Sequence, residues 1–287
     1  MTERMIEANR VELCTEPFGD STDPAILLLQ GVGASMLWWE DGFCRLLADA
    51  GRFVIRYDHR DTGRSVTYEP GRPGYTSTDL VADAVGVLDG YDVPAAHVVG
   101  VSAGGAFARL LALDFPDRVL SLVLISTSAA TPGDRGLPSP TEAFARFVAT
   151  AEVDWSDSES VIEYLIDYSR LLAGDQRLFD EQERCALVRR DVERAYDVAA
   201  LQNHDAIPDS ERSYQALSTI TVPTLVIHGT ADPMFPPRHG EALAAEIPSA
   251  RLLLLDGAGH GVDQADWDTI VAGIMEHTAP TDRADVR

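Results

Sequence analysis

A serine stands in the turn Gly100-Val101-Ser102-Ala103-Gly104, a G-x-S-x-G pattern that matters because of what flanks it. Before it, the apolar run His97-Val98-Val99 follows Pro94 and reads as a short buried strand; after it, Phe107, Leu110, Leu111 and Phe115 recur at helical spacing. A strand, this turn and a helix make a nucleophile elbow. The turn is so tight that Ser102 must take a strained backbone conformation, and only small residues two positions away on either side avoid clashing. In return the serine Oγ stands exposed, and the N–H of Ala103 points at whatever Oγ attacks. The chemistry this arrangement serves is nucleophilic acyl transfer.

A serine hydroxyl needs a base, and the base needs an orienting carboxylate. Two further strand ends supply candidates. The apolar run Thr224–His228 is followed by Gly229-Thr230-Ala231-Asp232-Pro233, whose turn residues end the strand and present Asp232. The run Leu252–Leu255 is followed by Asp256-Gly257-Ala258-Gly259-His260-Gly261, where glycines on either side of His260 let a loop carry the imidazole toward Ser102. Serine, then acid, then base is the chain order expected of an enzyme built around such an elbow. Asp256 is the weaker candidate for the acid, too near its strand end to orient His260 easily. Of the other histidines, His97 and His228 fall within strands and read as core residues, while His239 opens a helix and His277 closes one. His204 is a helix-end histidine that could touch substrate. An oxyanion hole needs a second backbone donor beside Ala103 N–H; the loop Gln30-Gly31-Val32-Gly33 after the strand Ala25–Leu29 offers Val32 N–H, with Gly31 and Gly33 letting that backbone approach the elbow. Trp38 and Trp39 follow at once and read equally as pocket lining or as core. Gly31, Trp38, Trp39 and His204 are therefore the candidate substrate-binding residues.

These residues must be carried by a sheet. Short apolar runs at Ala25–Leu29, Phe53–Tyr57, His97–Val101, Leu120–Ile125, Thr224–His228 and Leu252–Leu255 alternate with helical patterns at Gly42–Ala50, Thr78–Tyr91, Ala103–Phe115, Arg238–Ile247 and Asp266–His277. That alternation predicts a mostly parallel sheet with helices on both faces, with an antiparallel edge around Val11–Cys14. In the second helix Leu80, Ala84, Val87, Leu88 and Tyr91 form an apolar stripe, and Asp79 and Asp83 suit its N-terminal end. The alternation stops near Ser126 and resumes near Val222. Between them a Pro/Gly-rich entry, Thr131 to Pro140, leads into amphipathic helical patterns at Thr141–Thr150, Glu159–Leu172 and Asp180–Asn203, with Pro208 and Pro223 marking the exit. An insertion between two strands of one sheet predicts a helical lid over residues 130–216 on a core of 1–129 and 217–287. The tail from Ala279 reads as frayed.

Composition excludes several alternatives. The chain has 287 residues and a formal net charge of −23, an acidity that repels phosphate backbones and anionic lipids, so no nucleic-acid or membrane partner is expected. All 23 basic residues are arginine. Without lysine there is no Schiff-base amine, no pyridoxal phosphate anchor and no Walker A lysine. Cys14, Cys44 and Cys185 form neither a metal spacing nor a disulfide framework. No secretory segment opens the chain, and the stretch Ala25–Trp39 is too short and too interrupted to span a membrane, so a cytoplasmic setting is expected.

Taken together the elbow, the two later loops and the turn Asp58-His59-Arg60-Asp61-Thr62-Gly63-Arg64-Ser65 resemble the α/β-hydrolase superfamily, across essentially the whole chain outside the lid. That turn is similar to the family's Asp-x-Arg-Gly-x-Gly-x-Ser segment, which there holds loops near the active site. Together with Ala82-Asp83-Ala84-Val85 and Val87-Leu88-Asp89-Gly90 it resembles in particular the aclacinomycin methylesterase group, which removes a methyl ester from anthracycline polyketides. The resemblance implies Ser102 as nucleophile, Asp232 as acid and His260 as base, an ester hydrolase acting on a hydrophobic small molecule with neither metal nor organic cofactor. Where many members carry His-Gly at the oxyanion loop, this chain has Gln30-Gly31. The same triad could instead serve a lactone, thioester, amide or carbon–carbon bond, or a non-hydrolytic step, and a ligand-binding receptor on this fold is a further alternative.

Overall fold

The computed structural model describes residues 3–129, 136–207 and 217–279. Its strands are β1 (Arg4–Ala8), β2 (Val11–Phe18), β3 (Ala25–Leu29), β4 (Phe53–Tyr57), β5 (Ala96–Val101), β6 (Val119–Ile125), β7 (Thr224–Gly229) and β8 (Arg251–Leu255). They form one sheet in the order β1-β2-β4-β3-β5-β6-β7-β8. From β4 onward every neighbour is parallel, and β2 joins β1 and β4 antiparallel. Strands covered on both faces have no solvent side, which is why β3 and β4 are buried at every position, Arg56 of β4 included through its ion pairs with Glu16 and Asp41.

The two faces read out the two-residue period of the strands. Leu27, Leu29, Val98, Leu122, Leu124 and Val226 point to one core with α2 (Ser77–Gly90), α3 (Ala103–Asp114) and α7 (Arg238–Glu246). Ile26, Leu28, Val99, Val123, Ile125 and Ile227 point to the other with α1 (Asp41–Asp49) and α8 (Trp267–His277). The expected strands and helices of the core are all present, within two residues of their predicted ends except at the edge. There β2 runs on through Pro17 to Phe18, and β1 adds a strand that the polar N-terminus concealed. Only Ile6 and Ala8 of β1 are buried, so its inward face is two residues long. Pro17 is tolerated because the β1 register ends opposite Thr15, leaving it no β1 partner.

Within α2 the two acids divide. Asp79 forms a capping box with Thr76, as its position predicts. Asp83 does not serve the helix end: it is fully buried and holds Arg60 through two bonds of 2.7 Å.

Between β6 and β7 lie α4 (Glu142–Thr150), α5 (Ser158–Leu172) and α6 (Glu181–Arg194), followed by a 3₁₀ segment, Val198–Ala206. The single helix expected over Asp180–Asn203 is thus broken. Tyr196 N–H donates instead to Gly63 O (2.8 Å), and the Asp197 carboxylate caps Ala199 N, so docking on the core outweighs continuing the helix. Val161, Ile162, Leu165, Val188 and Val192 give the insertion a small core of its own. Arg194 fastens it to the sheet, 2.7 Å from both Asp58 and Glu3. Residues 131–135 of the expected Thr131 to Pro140 entry, Pro208, both ends of the 130–216 insertion and the tail beyond Ala279 lie outside the described residues.

Candidate active site

Ser102 sits between β5 and α3 at φ 54°, ψ −124°, the left-handed strain that the elbow requires. The glycines around it are obligatory. A Cβ on Gly100 would lie 2.3 Å from Gly104 O, and one on Gly104 would lie 2.2 Å from Leu29 O. The turn is therefore pressed against the end of β3, and Ala103 N–H lies at the first turn of α3, where helix amides have no intrahelical acceptor.

The loop after β7 presents Asp232, only 3% exposed. One carboxylate oxygen accepts Met234 N–H (2.9 Å) and Phe235 N–H (2.8 Å); the other accepts His260 Nδ1–H at 2.8 Å. With its proton on Nδ1, the neutral imidazole keeps Nε2 as an acceptor. His228, a core residue as expected, lies 3.6 Å from Asp232 but donates to Phe235 O (2.7 Å), and burial holds its pKa below the ordinary histidine value. The loop carrying His260 packs against β7: a Cβ on Gly229 would lie 2.3 Å from the carbonyls of Ala258 and Gly259. The backbone N–H of His260 donates to Leu172 O at the end of α5 (2.7 Å), so the insertion helps to seat His260.

Gln30-Gly31-Val32-Gly33 leaves β3 directly over the elbow. A Cβ on Gly31 would come within 3.2 Å of Ser102 Cβ and 3.7 Å of its Oγ. Two of the loop's amides are taken, Gly31 N–H by the Gln30 side chain (2.6 Å) and Gly33 N–H by His204 Nδ1 (2.8 Å). Val32 N–H lies between them.

Ser102, Ala103, Val32 and His260 share one cavity of about 710 Å³, within the range of sites that take drug-sized ligands. Gly31, Trp38 and His204 line it as well. Trp39 does not: it is 1% exposed and stacks on Phe43 in the core, 5.6 Å between centroids. Successive residues of a 3₁₀ turn point in different directions, and Trp38 takes the cavity side with its indole N–H on Asp191 (2.7 Å). His204 is 5% exposed and both its ring nitrogens are engaged within the protein.

An aromatic shelf in the insertion went unread in the sequence. Tyr164 and Tyr168, one helical turn apart on α5, stack at 6.1 Å with planes 16° apart, and Trp155 meets Tyr164 edge-on at 6.0 Å. All three line the cavity. The i, i+4 tyrosines were the available signal, but an amphipathic helix in isolation does not reveal what its apolar face covers.

The model of the alpha/beta hydrolase fold matches residues 24–262. The chain belongs to the α/β-hydrolase fold family. It is 36% identical to rhodomycin D methylesterase DnrP of Streptomyces peucetius, over 97% of this chain and 98% of that one. Among solved structures, it resembles a hydrolase of Pseudomonas aeruginosa (TM-score 0.74, 26% identity, 97% of this chain and 99% of that one). It also resembles an enol-lactonase of Burkholderia xenovorans (TM-score 0.72, 25% identity, 96% of this chain and 100% of that one). This α/β-hydrolase is accordingly an enzyme, and an ester hydrolase.

The hydrolase's Asp58–Ser65 turn ties the site together. The fully buried Asp58 accepts Met36 N–H and Arg64 N–H, both at 2.9 Å, besides its ion pair with Arg194. Burial pushes its carboxyl pKa up, and the Arg194 guanidinium pulls against that. Among the described residues no group of three or more His, Cys, Asp or Glu side chains is placed to hold a metal ion. No described helix is long and apolar enough to cross a membrane.

Proposed function

We propose that this hydrolase cleaves a carboxylic ester through an acyl-enzyme on Ser102, with His260 as base and Asp232 as its orienting acid. The observation that carries the reading is the His260–Asp232 hydrogen bond on the wall of the same cavity that exposes Ser102. Ser102 Oγ attacks the ester carbonyl while His260 Nε2 takes its proton, and Asp232 stabilises the resulting imidazolium. The carbonyl oxygen gains the negative charge and receives Val32 and Ala103 N–H. Collapse of the tetrahedral intermediate breaks the bond to the alcohol oxygen, which leaves with the proton from His260. Water, deprotonated by the same imidazole, then releases the acid and restores Ser102.

The substrate we propose is the methyl ester of a polycyclic, hydrophobic natural product of polyketide type. Support comes from the rhodomycin D methylesterase relative and from a cavity faced with Trp38, Trp155, Tyr164 and Tyr168, flat rings suited to a flat acyl group. The insertion then acts as the lid that sets specificity. A cytoplasmic setting fits the free thiols of Cys14, Cys44 and Cys185, and the net charge of −23 disfavours a polyanionic partner. A cyclic ester is the second reading, favoured by the likeness to the enol-lactonase.

Intact-mass spectrometry after fluorophosphonate treatment tests the nucleophile: one adduct on the wild type and none on S102A is expected, and labelling of both variants alike would refute it. Methanol release from polycyclic methyl esters tests the substrate class, and ring opening of lactones without methanol would favour the second reading.

A further inference from the structure

The oxyanion loop has no side chain at Gly31 or Gly33 to restrain its backbone, and Gly33 sits in the left-handed region at φ 69°. Two imidazoles hold it from outside. His59 Nε2 donates to Gln30 O (3.0 Å) at the loop's start, and His204 Nδ1 accepts Gly33 N–H (2.8 Å) at its end. The rings lie 6.4 Å apart, 1% and 5% exposed. His59 belongs to the turn after β4, inside the core fold. His204 belongs to the insertion and ties it to this loop.

His204 can make that tie in one state only. An N–H donor faces Nδ1, so Nδ1 must be unprotonated, and Nε2 must then carry the proton that it donates to Arg60 O (2.7 Å). Its neighbour Asn203 fixes the segment in register, donating to Asp61 (3.0 Å) and accepting Arg72 N–H (3.0 Å). Burial holds the His204 pKa below the ordinary value, in keeping with a neutral ring.

We propose that His204 is a positioning residue for ester cleavage: by accepting Gly33 N–H it fixes the Val32–Gly33 peptide plane and so restrains the adjoining plane that carries Val32 N–H, so that the insertion aligns the oxyanion hole as well as covering the cavity. The proposal rests on Val32 N–H and Ser102 acting as assigned above.

Two conservative variants separate the bonds. The Oδ1 of H204N falls where Nδ1 stands and can still accept Gly33 N–H. The amide of H204Q falls where Nε2 stands and keeps the Arg60 link but loses Gly33. The expected result with a p-nitrophenyl ester is that H204Q lowers kcat about 10–100-fold with KM within about threefold, less than the 10²–10³ for deleting a donor outright. H204N stays within about threefold of the wild type. The rate of fluorophosphonate labelling should fall in parallel for H204Q. Equal kcat in both variants with unchanged melting, whether lowered or not, would overturn the proposal. Should H204Q fail to fold, H204N decides: kcat near wild type supports the proposal, and a tenfold loss in folded protein overturns it. Failure of the underlying site reading looks different, since the wild type itself would then carry no adduct on Ser102.

Discussion

Replacing Asp232 by Asn probes the tautomer of the base, and the structure dictates how the new amide must sit. Two backbone amides, of Met234 and Phe235, converge on one carboxylate oxygen at 2.9 and 2.8 Å. Only the Asn carbonyl oxygen can satisfy both, so its NH₂ is forced to face His260 Nδ1, now 2.8 Å from the other carboxylate oxygen. Two donors cannot share that line, and the imidazole responds by moving its proton to Nε2. The nitrogen that should accept the Ser102 proton is then already protonated. A swap that leaves geometry intact but inverts the tautomer costs about 10⁴ in kcat in the serine protease triad, or about 5.5 kcal/mol of transition-state stabilisation. The same loss is expected here, with the retained backbone bonds keeping the melting temperature within a few degrees of the wild type. Steady-state hydrolysis of a p-nitrophenyl ester, normalised to folded protein, gives the number. If D232N kept more than a tenth of wild-type kcat, the Asp232–His260 pair would not be the working acid and base.

Gly104→Ala should destabilise by about 3 kcal/mol or more, because its Cβ would meet the backbone of Leu29 at 2.2 Å and that strand end cannot yield; a fall in Tm of roughly 5 °C or more in calorimetry is the expected reading. Acid should weaken the fold through His59, whose pKa burial lowers to about 3. Protons then bind the unfolded chain more than the folded one below about pH 6.5, so this stability is present above that pH and is lost as pH falls toward 3. Between pH 6.5 and 5 the loss is about 2 kcal/mol, seen as a urea midpoint that drops in the wild type but less in H59Q, which can keep the Gln30 bond; identical slopes would contradict it. Tyr164→Ala should raise KM about tenfold for a polycyclic methyl ester and leave p-nitrophenyl acetate nearly unchanged, and equal effects on both would remove the shelf from substrate recognition.

Much of the candidate site's local geometry was legible in the sequence because its determinants are local. A tight turn needs Gly100 and Gly104 whatever else surrounds it, and the breaks after β7 and β8 announce loops where Asp232 and His260 stand. A doubly covered strand such as β3 leaves an unbroken apolar run that depends on nothing distant. The contrasting features each depend on which surface a segment meets. Trp38 and Trp39 are chemically equivalent in the sequence, and only the packing of Phe43 and Asp191 on opposite sides separates them. Asp83 reads as a helix-end acid until Arg60 arrives from another turn. The helix over Asp180–Asn203 has the propensity to continue but ends at Arg194, where Gly63 and Asp58 offer better partners than the next turn. His204 looks like any helix-end histidine until Gly33, far away in the chain, donates to it. Turn sterics and apolar periodicity act over a few residues and are written into the sequence; the Gly33–His204 bond joins residues 171 apart, and the cavity that Tyr164 and Tyr168 line is made only where the insertion meets the core, so both exist only once the chain has folded.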